Sequence, residues 1–333
     1  MIAGISIKRI SIYVAALLTV FGCALLFVAR KQSCKTAQVG IFVPTTTPQR
    51  FGVYHWNIDA PFCTAPCDLL NYGAARVEAT GSRTIRVYLG PKQVTSYRLN
   101  LPAEATLVQI AHHQSYNALF TNPAFEVYLL TAYSKYDNAN SWIDGFTPAE
   151  YEAEKEEMRA LGGYFLSNAK FAGKTFIILN WEGDNAIAPV RNKRSAWDAY
   201  KNWIQSRADG VTQARNDYPD SATKLFSGLE FNAMEMNGHK CGTTLAQTGE
   251  DPLTSDPYKY RCVIDYIAPS VSVDYYSYSS WGSLSSKYGN SSASFKTLLK
   301  NDLVTALNLV KARRPAVDQS NFIMGEFGFP REL

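Results

Sequence analysis

The sequence is informative first for what it lacks. Its Lys and Arg residues form no long basic run, and the net charge is only +4, so we expect no nucleic-acid partner. No glycine-rich phosphate loop follows the first apolar strand candidate, which argues against a dinucleotide-binding fold. Only four His residues occur, and none stands at zinc-finger spacing from the cysteines. We therefore predict neither a metal nor a cofactor.

Aromatic side chains, by contrast, are abundant and make up 13% of the 333 residues. A mildly charged, aromatic-rich chain suits an uncharged, ring-shaped ligand, because aromatic faces stack on the C–H faces of a sugar. The length allows one large domain or two small ones. Composition thus favours a globular protein that recognises carbohydrate.

An uncharged apolar segment, residues 10–29, lies between basic residues near the N-terminus, after the basic segment 1–9. It is long enough to cross a bilayer as a helix, and no small-x-small cleavage site follows it. We predict a transmembrane signal anchor, with a cleaved signal peptide as the alternative. The protein would then be extracytoplasmic and membrane-anchored or, in the alternative, secreted. A linker over residues 30–49 leads to a globular domain over residues 50–333.

The cysteines of the globular part also favour export. Cys63 and Cys67 are close in sequence, and Cys241 and Cys262 bracket a polar insertion. Pairs of this kind predict two loop-closing disulfides in an oxidising compartment, with zinc binding as the weaker alternative.

Seven short apolar segments alternate with amphipathic helices, of which Pro148–Phe165, Ser195–Asn216 and Ser294–Arg313 are the clearest. Such alternation without hairpin turns predicts a parallel sheet, and the spacing fits a (β/α)₈ TIM barrel better than an open sheet. The count is one strand short, so we interpret the barrel as truncated after strand seven, with the eighth strand missing. The strand candidates are Phe51–Trp56, Thr84–Leu89, Val127–Tyr133, Thr175–Asn180, Leu225–Phe231, Ser270–Tyr276 and Phe322–Met324.

Functional residues of such a barrel lie at the carboxyl ends of its strands. Glu182 follows the fourth predicted strand and Glu326 the seventh, each beside glycine and aromatic residues. Two such carboxylates are what acid/base or nucleophilic chemistry on a glycosidic bond requires. Arg86, between apolar residues of the second strand, is a candidate for a buried cation.

These features resemble the clan A glycoside hydrolases, the retaining (β/α)₈ glycosidases, and Gly325-Glu326-Phe327-Gly328 is similar to the nucleophile strand of the cellulase- and mannanase-like members. The resemblance implies a glycosidase acting on an oligo- or polysaccharide, with Glu182 as acid/base and Glu326 as nucleophile. It also implies that Arg86 positions the nucleophile and that Tyr276 or Tyr278 is its tyrosine partner.

The chain departs from the clan before the acid/base residue. The clan has Asn directly before that glutamate, whereas Trp181 intervenes here and Asn180 is two residues away. On a strand this spacing places Asn180 and Glu182 on one face. Recognition of the sugar 2-hydroxyl is therefore an open question in this chain.

Several further residues are candidates at the rim. Glu230 and Glu235 are rivals for the acid role, although Glu230 would have to point into the barrel or pair with a cation. A non-catalytic carbohydrate-binding or assembly protein on a barrel scaffold is the alternative function. The residues predicted to contact or support a substrate are His55, Trp56, Asn180, Trp181, Tyr276, Tyr278 and Trp281.

Overall fold

A computed structural model describes residues 52–55, 67–134, 141–236, 239–242, 260–280, 292–317 and 320–326. Within them, seven parallel strands form one sheet in chain order, and a two-stranded antiparallel hairpin follows the fifth. The sheet strands are β1 (Gly52–His55), β2 (Thr84–Leu89), β3 (Val127–Ala132), β4 (Thr175–Leu179), β5 (Lys224–Phe231), β8 (Tyr275–Ser279) and β9 (Phe322–Glu326), and the hairpin is β6 (Glu235–Met236) with β7 (His239–Lys240).

Helices connect the strands and cover the outside of the sheet. Two long helices that follow the predicted pattern, α5 (Pro148–Ser167) and α7 (Arg194–Asp217), pack against each other between β3 and β5. The helices are α1 (Leu69–Ala79), α2 (Pro91–Ser96), α3 (Leu107–His112), α4 (Gln114–Thr121), α5 (Pro148–Ser167), α6 (Gly183–Ile187), α7 (Arg194–Asp217), α8 (Val263–Tyr266) and α9 (Ser292–Arg313).

Helix α5 shows how local sequence sets these boundaries. Thr147 caps its amino end and accepts a hydrogen bond from the Glu150 N–H, while the Glu150 side chain accepts one from the Thr147 N–H. This reciprocal capping box, followed by Pro148 in the first turn, fixes the start of the helix. Gly210 of α7 then lets the two helices approach closely, because a Cβ there would lie 2.7 Å from Met158 Cβ.

Contacts across the sheet show that it curves into a nearly closed barrel. Arg86 Nη1 on β2 lies 2.6 Å from Glu230 Oε2 on β5 and 3.3 Å from Glu326 Oε1 on β9. Strands β2 and β9 are five positions apart, which is about 24 Å in a flat sheet at the usual strand spacing. One side chain therefore reaches both partners only because the sheet wraps around them. Among the described residues β1 pairs with β2 alone and β9 with β8 alone.

The two faces of the sheet pack against different sets of side chains. The outward face packs under the helices in two large apolar clusters, to which Ile85 and Tyr276 belong. The inward face holds a small apolar cluster around Leu129, Ile177 and Leu179. Nearer the carboxyl ends of the strands the barrel interior becomes polar.

Two predictions about export have different outcomes. Cys241 and Cys262 form the predicted disulfide, whereas Cys63 lies outside the described residues and only its predicted partner Cys67 is seen to be disulfide-bonded. The predicted membrane segment 10–29 also lies outside the described residues. Within the part of the chain that is described, no helix combines the length and apolar character needed to cross a bilayer.

Candidate functional site

A buried ion pair between Arg86 and Glu230 forms the centre of the polar layer. The guanidinium donates to both carboxylate oxygens, at 2.6 and 2.9 Å, and also to Thr131 Oγ1 on the neighbouring strand. Arg86 lies over the ring of Tyr54 at 4.6 Å. Its side chain is 2% exposed and that of Glu230 is 0% exposed. Such a pair is stable in a barrel interior because its hydrogen bonds are satisfied.

Glu326 reaches this layer through a β-bulge. Tyr278 of β8 is opposite Met324, but the next residue, Ser279, is opposite Glu326, so Gly325 is an extra residue in β9. A bulge interrupts the alternation of faces. Gly325 faces inward, since a Cβ there would overlap Glu230 and Ser277, and Glu326 faces inward as well, 3.3 Å from Arg86.

Glu182 lies just beyond β4, at the start of α6. Its backbone is left-handed, with φ 33° and ψ 70°, a conformation that costs a residue with a side chain about 1–3 kcal/mol. The Glu182 N–H donates to Glu230 Oε1 at 3.1 Å. The Glu182 carboxylate accepts hydrogen bonds from Ser279 Oγ at 3.0 Å and from the Asn185 amide. Both the backbone and the carboxyl group of Glu182 are therefore held by the barrel interior.

Burial sets the proton affinities of this cluster. It raises the pKa of Glu182 above its ordinary value, and the hydrogen bonds from Ser279 and Asn185 only partly oppose this. Burial opposes the charge of Arg86, but the attraction and hydrogen bonds of Glu230, together with Tyr54 and Glu326, outweigh it and raise the pKa of the guanidinium, which stays charged. The cluster thus contains a permanent cation and a carboxyl group that keeps its proton more readily than usual.

Asp184 braces the turn that carries Glu182. Its carboxylate accepts hydrogen bonds from the N–H groups of Asn232, Ala233 and Val263, at 3.0, 3.0 and 2.8 Å. Val263 follows Cys262, so the disulfide, the end of β5 and the start of α6 are joined at this point. Desolvation raises the pKa of this fully buried carboxyl group despite those bonds. Its role is structural.

Neither tyrosine predicted to be the partner of Glu326 faces the barrel interior. Tyr276 and Tyr278 point outward into the helix layer, where Tyr276 donates to the Ala268 carbonyl at 3.4 Å and Tyr278 packs against Phe231. The predicted strand Ser270–Tyr276 begins too early, since β8 covers Tyr275–Ser279. The inward residues of β8 are therefore Ser277 and Ser279, whose hydroxyl groups bind Glu230 and Glu182.

His55 and Asn180 also differ from prediction. His55 points away from the mouth of the barrel: it is 6% exposed, packs on Gly73 of α1 and shares a hydrogen bond with the Leu70 carbonyl. Burial lowers its pKa. Because β4 ends at Leu179, Asn180 and Glu182 do not share a strand face.

Asn180 supports the site through hydrogen bonds to the backbone of Glu230. Its amide donates to the Glu230 carbonyl and to Tyr200 Oη, both at 2.9 Å, and its oxygen accepts from the Glu230 N–H at 2.7 Å. Its supporting role therefore consists of fixing the backbone of Glu230. It has no exposed surface from which to bind a sugar hydroxyl.

The predicted aromatic contacts are only partly described. Trp56 and Trp281 lie outside the described residues. Trp181 is half-buried against the apolar cluster that contains Tyr276. Its backbone N–H donates to Tyr133 Oη at 2.6 Å. Glu235, the rival for the acid role, is exposed in the hairpin after β5.

Sequence reasoning brought Arg86, Glu182 and Glu326 to one cluster but did not identify Ser277, Ser279 or Thr131. Glu230 meets both conditions set for it, since it points inward and pairs with a cation. Comparison with family models and with curated proteins finds no match for this chain. The geometry of the cluster is therefore the basis for a function.

Proposed function

We propose that the protein is a retaining glycoside hydrolase in which Glu182 is the acid/base and Glu326 the nucleophile. One observation carries the proposal: two buried glutamates at the carboxyl ends of the barrel strands belong to one cluster with Arg86, Glu326 through an ion pair and Glu182 through hydrogen bonds. Glu182 is 4% exposed and Glu326 is 6% exposed. An oligo- or polysaccharide is the substrate class.

Each glutamate has an environment suited to its step. Arg86 lies 3.3 Å from Glu326, and a neighbouring cation favours the ionised form that attacks the anomeric carbon. Burial raises the pKa of Glu182, so this residue keeps a proton for the leaving oxygen. In the second step Glu182 takes a proton from water, which then releases the sugar from Glu326.

Retention requires the two carboxyl groups to be about 5–5.5 Å apart, whereas inversion needs about 6.5–9.5 Å. Ser279 supports the shorter separation. It donates to Glu182 at 3.0 Å and is the register partner of Glu326 on the neighbouring strand. The Glu182 carboxylate is thus bound to the residue that lies opposite the Glu326 backbone in the sheet.

The test is hydrolysis of a panel of aryl glycosides by the full-length protein in detergent, with proton NMR to identify the first anomer formed. Glu326→Ala should abolish turnover, and azide should restore part of it as the inverted glycosyl azide. Glu182→Gln should lose activity on poor leaving groups but retain it on activated aryl groups, which need no proton. The matched control is Glu235→Gln, which replaces an exposed glutamate at the same end of the barrel and should keep wild-type activity.

Activity of Glu326→Ala without an added anion would remove this residue from the nucleophile role. The alternative function has its own signature. Binding of oligosaccharides that is unaffected by either substitution, with no hydrolysis of any glycoside in the panel, would indicate a carbohydrate-binding protein on a barrel scaffold.

A further inference from the structure

We propose that Glu230 is the positioning residue that sets both glutamates of the site, by holding the backbone of Glu182 and the guanidinium that faces Glu326. This inference rests on the proposed function for its kinetic test, but its structural content concerns contacts within the barrel. Glu230 lies on β5 and has no exposed surface, so it is itself neither an accessible acid nor a nucleophile.

The hydrogen bonds of Glu230 connect the two halves of the site. Among the described residues, Oε1 accepts from Arg86 and from the Glu182 N–H, while Oε2 accepts from Arg86 and from Ser277 Oγ. These donors match the accepting capacity of an ionised carboxylate. The Glu230 carboxylate therefore has no position left for a substrate.

The first half of the role concerns Glu182. A left-handed backbone at a residue with a side chain persists only where its surroundings impose it. Here the Glu182 N–H points at Glu230 Oε1, and Asn180 fixes the Glu230 backbone from the other side. This bond aims the Glu182 side chain at Ser279 and the barrel interior.

The second half concerns Glu326. Arg86 Nη1 lies 2.6 Å from Glu230 and 3.3 Å from Glu326, so the shorter contact fixes the guanidinium from which the longer one is made. The sequence before the nucleophile reflects this arrangement. A side chain at position 325 would overlap the Glu230 carboxylate, so glycine is needed there for Glu230 to be present.

The positioning role of Glu230 can be measured through its effect on the pKa of Glu182. Burial is the main cause that raises the pKa of Glu182, and repulsion by Glu230 adds to it. Removing that charge should lower the pKa of Glu182, and with it the alkaline limb of the pH dependence of kcat/KM. A residue that only stabilised the fold would leave this limb in place.

The experiment compares Glu230→Gln and Glu230→Asp with Glu154→Gln and Glu154→Asp. Glu154 is a matched control because it forms an equally buried pair with Arg207, at 3.0 Å, between α5 and α7. Glu230→Gln should shift the alkaline limb to lower pH and reduce kcat about a hundredfold, as expected for misplaced catalytic groups, with KM nearly unchanged. Glu154→Gln should leave the pH profile and kcat as in the wild type.

Glu230→Asp keeps the charge for Arg86 but is one methylene short of holding both partners, so it covers the case in which the Gln variant does not fold. It should reduce kcat while leaving the alkaline limb in place, and Glu154→Asp should do neither. Equal behaviour of the Glu230 and Glu154 variants would overturn the proposal.

A readout without turnover separates this inference from the proposed function. Carboxyl-carbon NMR of glutamate-labelled protein, with Glu182 assigned through Glu182→Gln, follows the titration of Glu182 directly. We expect it to titrate at lower pH in Glu230→Gln than in the wild type or in Glu154→Gln. That result without glycosidase activity would remove the proposed function and keep the positioning role, whereas an unchanged titration would remove the positioning role.

Discussion

Two buried Arg–Glu pairs in this barrel have the same chemistry and different surroundings. Arg86 and Glu230 lie inside the barrel, whereas Arg207 and Glu154 lie between α7 and α5. In both pairs neither side chain is more than 5% exposed. Around Arg207 the further partners are neutral, since it donates to the Leu179 carbonyl and stacks on the Trp203 ring.

The interior pair has charged neighbours instead. Among the described residues, Glu326 lies 3.3 Å from Arg86, and Glu182 is attached through its backbone N–H to Glu230. Three buried carboxyl groups therefore lie around one cation, although only two of them contact it. Burying an excess of one charge is costly, and a fold used only as a scaffold gains little from it. The comparison indicates that burial of an ion pair does not itself mark a site, whereas an excess of buried carboxyl groups does.

Replacing each arginine in turn should give the largest difference in stability between the two pairs. Arg86→Met leaves two buried carboxyl groups, Glu230 and Glu326, without this cation, although Glu230 keeps its neutral donors. Arg207→Met leaves one, Glu154, which keeps Ser134 as a partner. Each change should cost about 3–5 kcal/mol, as for other buried pairs that lose one member, with Arg86→Met the larger. Urea unfolding at several pH values measures the difference.

The loss of stability in those two variants should depend on pH. A buried carboxylate without a cation has a folded pKa above its unfolded value, so the instability is greatest at neutral pH and is relieved as the pH falls through the folded pKa. The relief should be larger in Arg86→Met, which leaves more carboxyl groups. Equal pH dependence in the two variants would contradict the distinction between the pairs.

The disulfide supplies a stabilisation of another origin. Cys241 and Cys262 are 21 residues apart, and replacing both by serine should cost about 3 kcal/mol if loss of loop-closure entropy in the unfolded chain dominates. Because no charge is buried or released, this loss should be nearly independent of pH between neutral and mildly acidic conditions. Urea unfolding midpoints at several pH values should show a constant loss for the serine variant and a pH-dependent loss for Arg86→Met. Equal midpoints for the serine variant and the wild type would rule out the stabilisation by the disulfide.

Glycine substitutions compare packing inside and outside the barrel. Gly325→Ala forces a methyl group onto Glu230 and Ser277, and such overpacking costs about 1–3 kcal/mol. In the helix layer, Gly163→Ala of α5 meets only the ring of Tyr218, at 3.3 Å, which is exposed and can move. Thermal unfolding should show a clear loss for the first and a change within about 1 kcal/mol for the second. Equal losses would mean that the interior is no more tightly packed.

The smallest expected effect comes from Ser279. Its hydroxyl donates to Glu182 and favours the ionised form, so Ser279→Ala should raise the pKa of Glu182 and move the alkaline limb of kcat/KM to higher pH. The loss of one such bond corresponds to about 1 kcal/mol. Ser270→Ala, which removes an exposed hydroxyl bonded to the Tyr266 carbonyl, is the control and should not move that limb. A shift to lower pH in Ser279→Ala would refute the assignment.

Sequence periodicity predicted the parallel sheet and its order because each strand is a short apolar run between amphipathic helices. It also brought Glu182, Glu326 and Arg86 to the same end of the barrel, since residues at the carboxyl ends of parallel strands meet there. These inferences depend on strand position, which apolar runs encode well. The membrane anchor and the enzymatic activity remain predictions.

Side-chain direction was harder to predict, because it depends on single residues. Tyr276 and Tyr278 were chosen from the family resemblance alone, which does not say which face of β8 they occupy. The alternation of the strand places Ser277 and Ser279 inward instead. The left-handed backbone of Glu182 and the bulge at Gly325 leave the regular strand geometry on which periodicity relies. His55 was assigned to the rim although it faces α1, because its neighbour Tyr54 takes the inward position of β1.

The absence of a side chain at position 325 links two distant parts of the gene. The Glu230 carboxylate occupies the space that a Cβ of residue 325 would need, so a change at either position alters which residues the other can accept. Alanine at 325 should become tolerable only after residue 230 has shortened and the Ser277 hydroxyl has also made room, because a Cβ at 325 would overlap both side chains. In relatives of this protein, positions 230 and 325 should vary together.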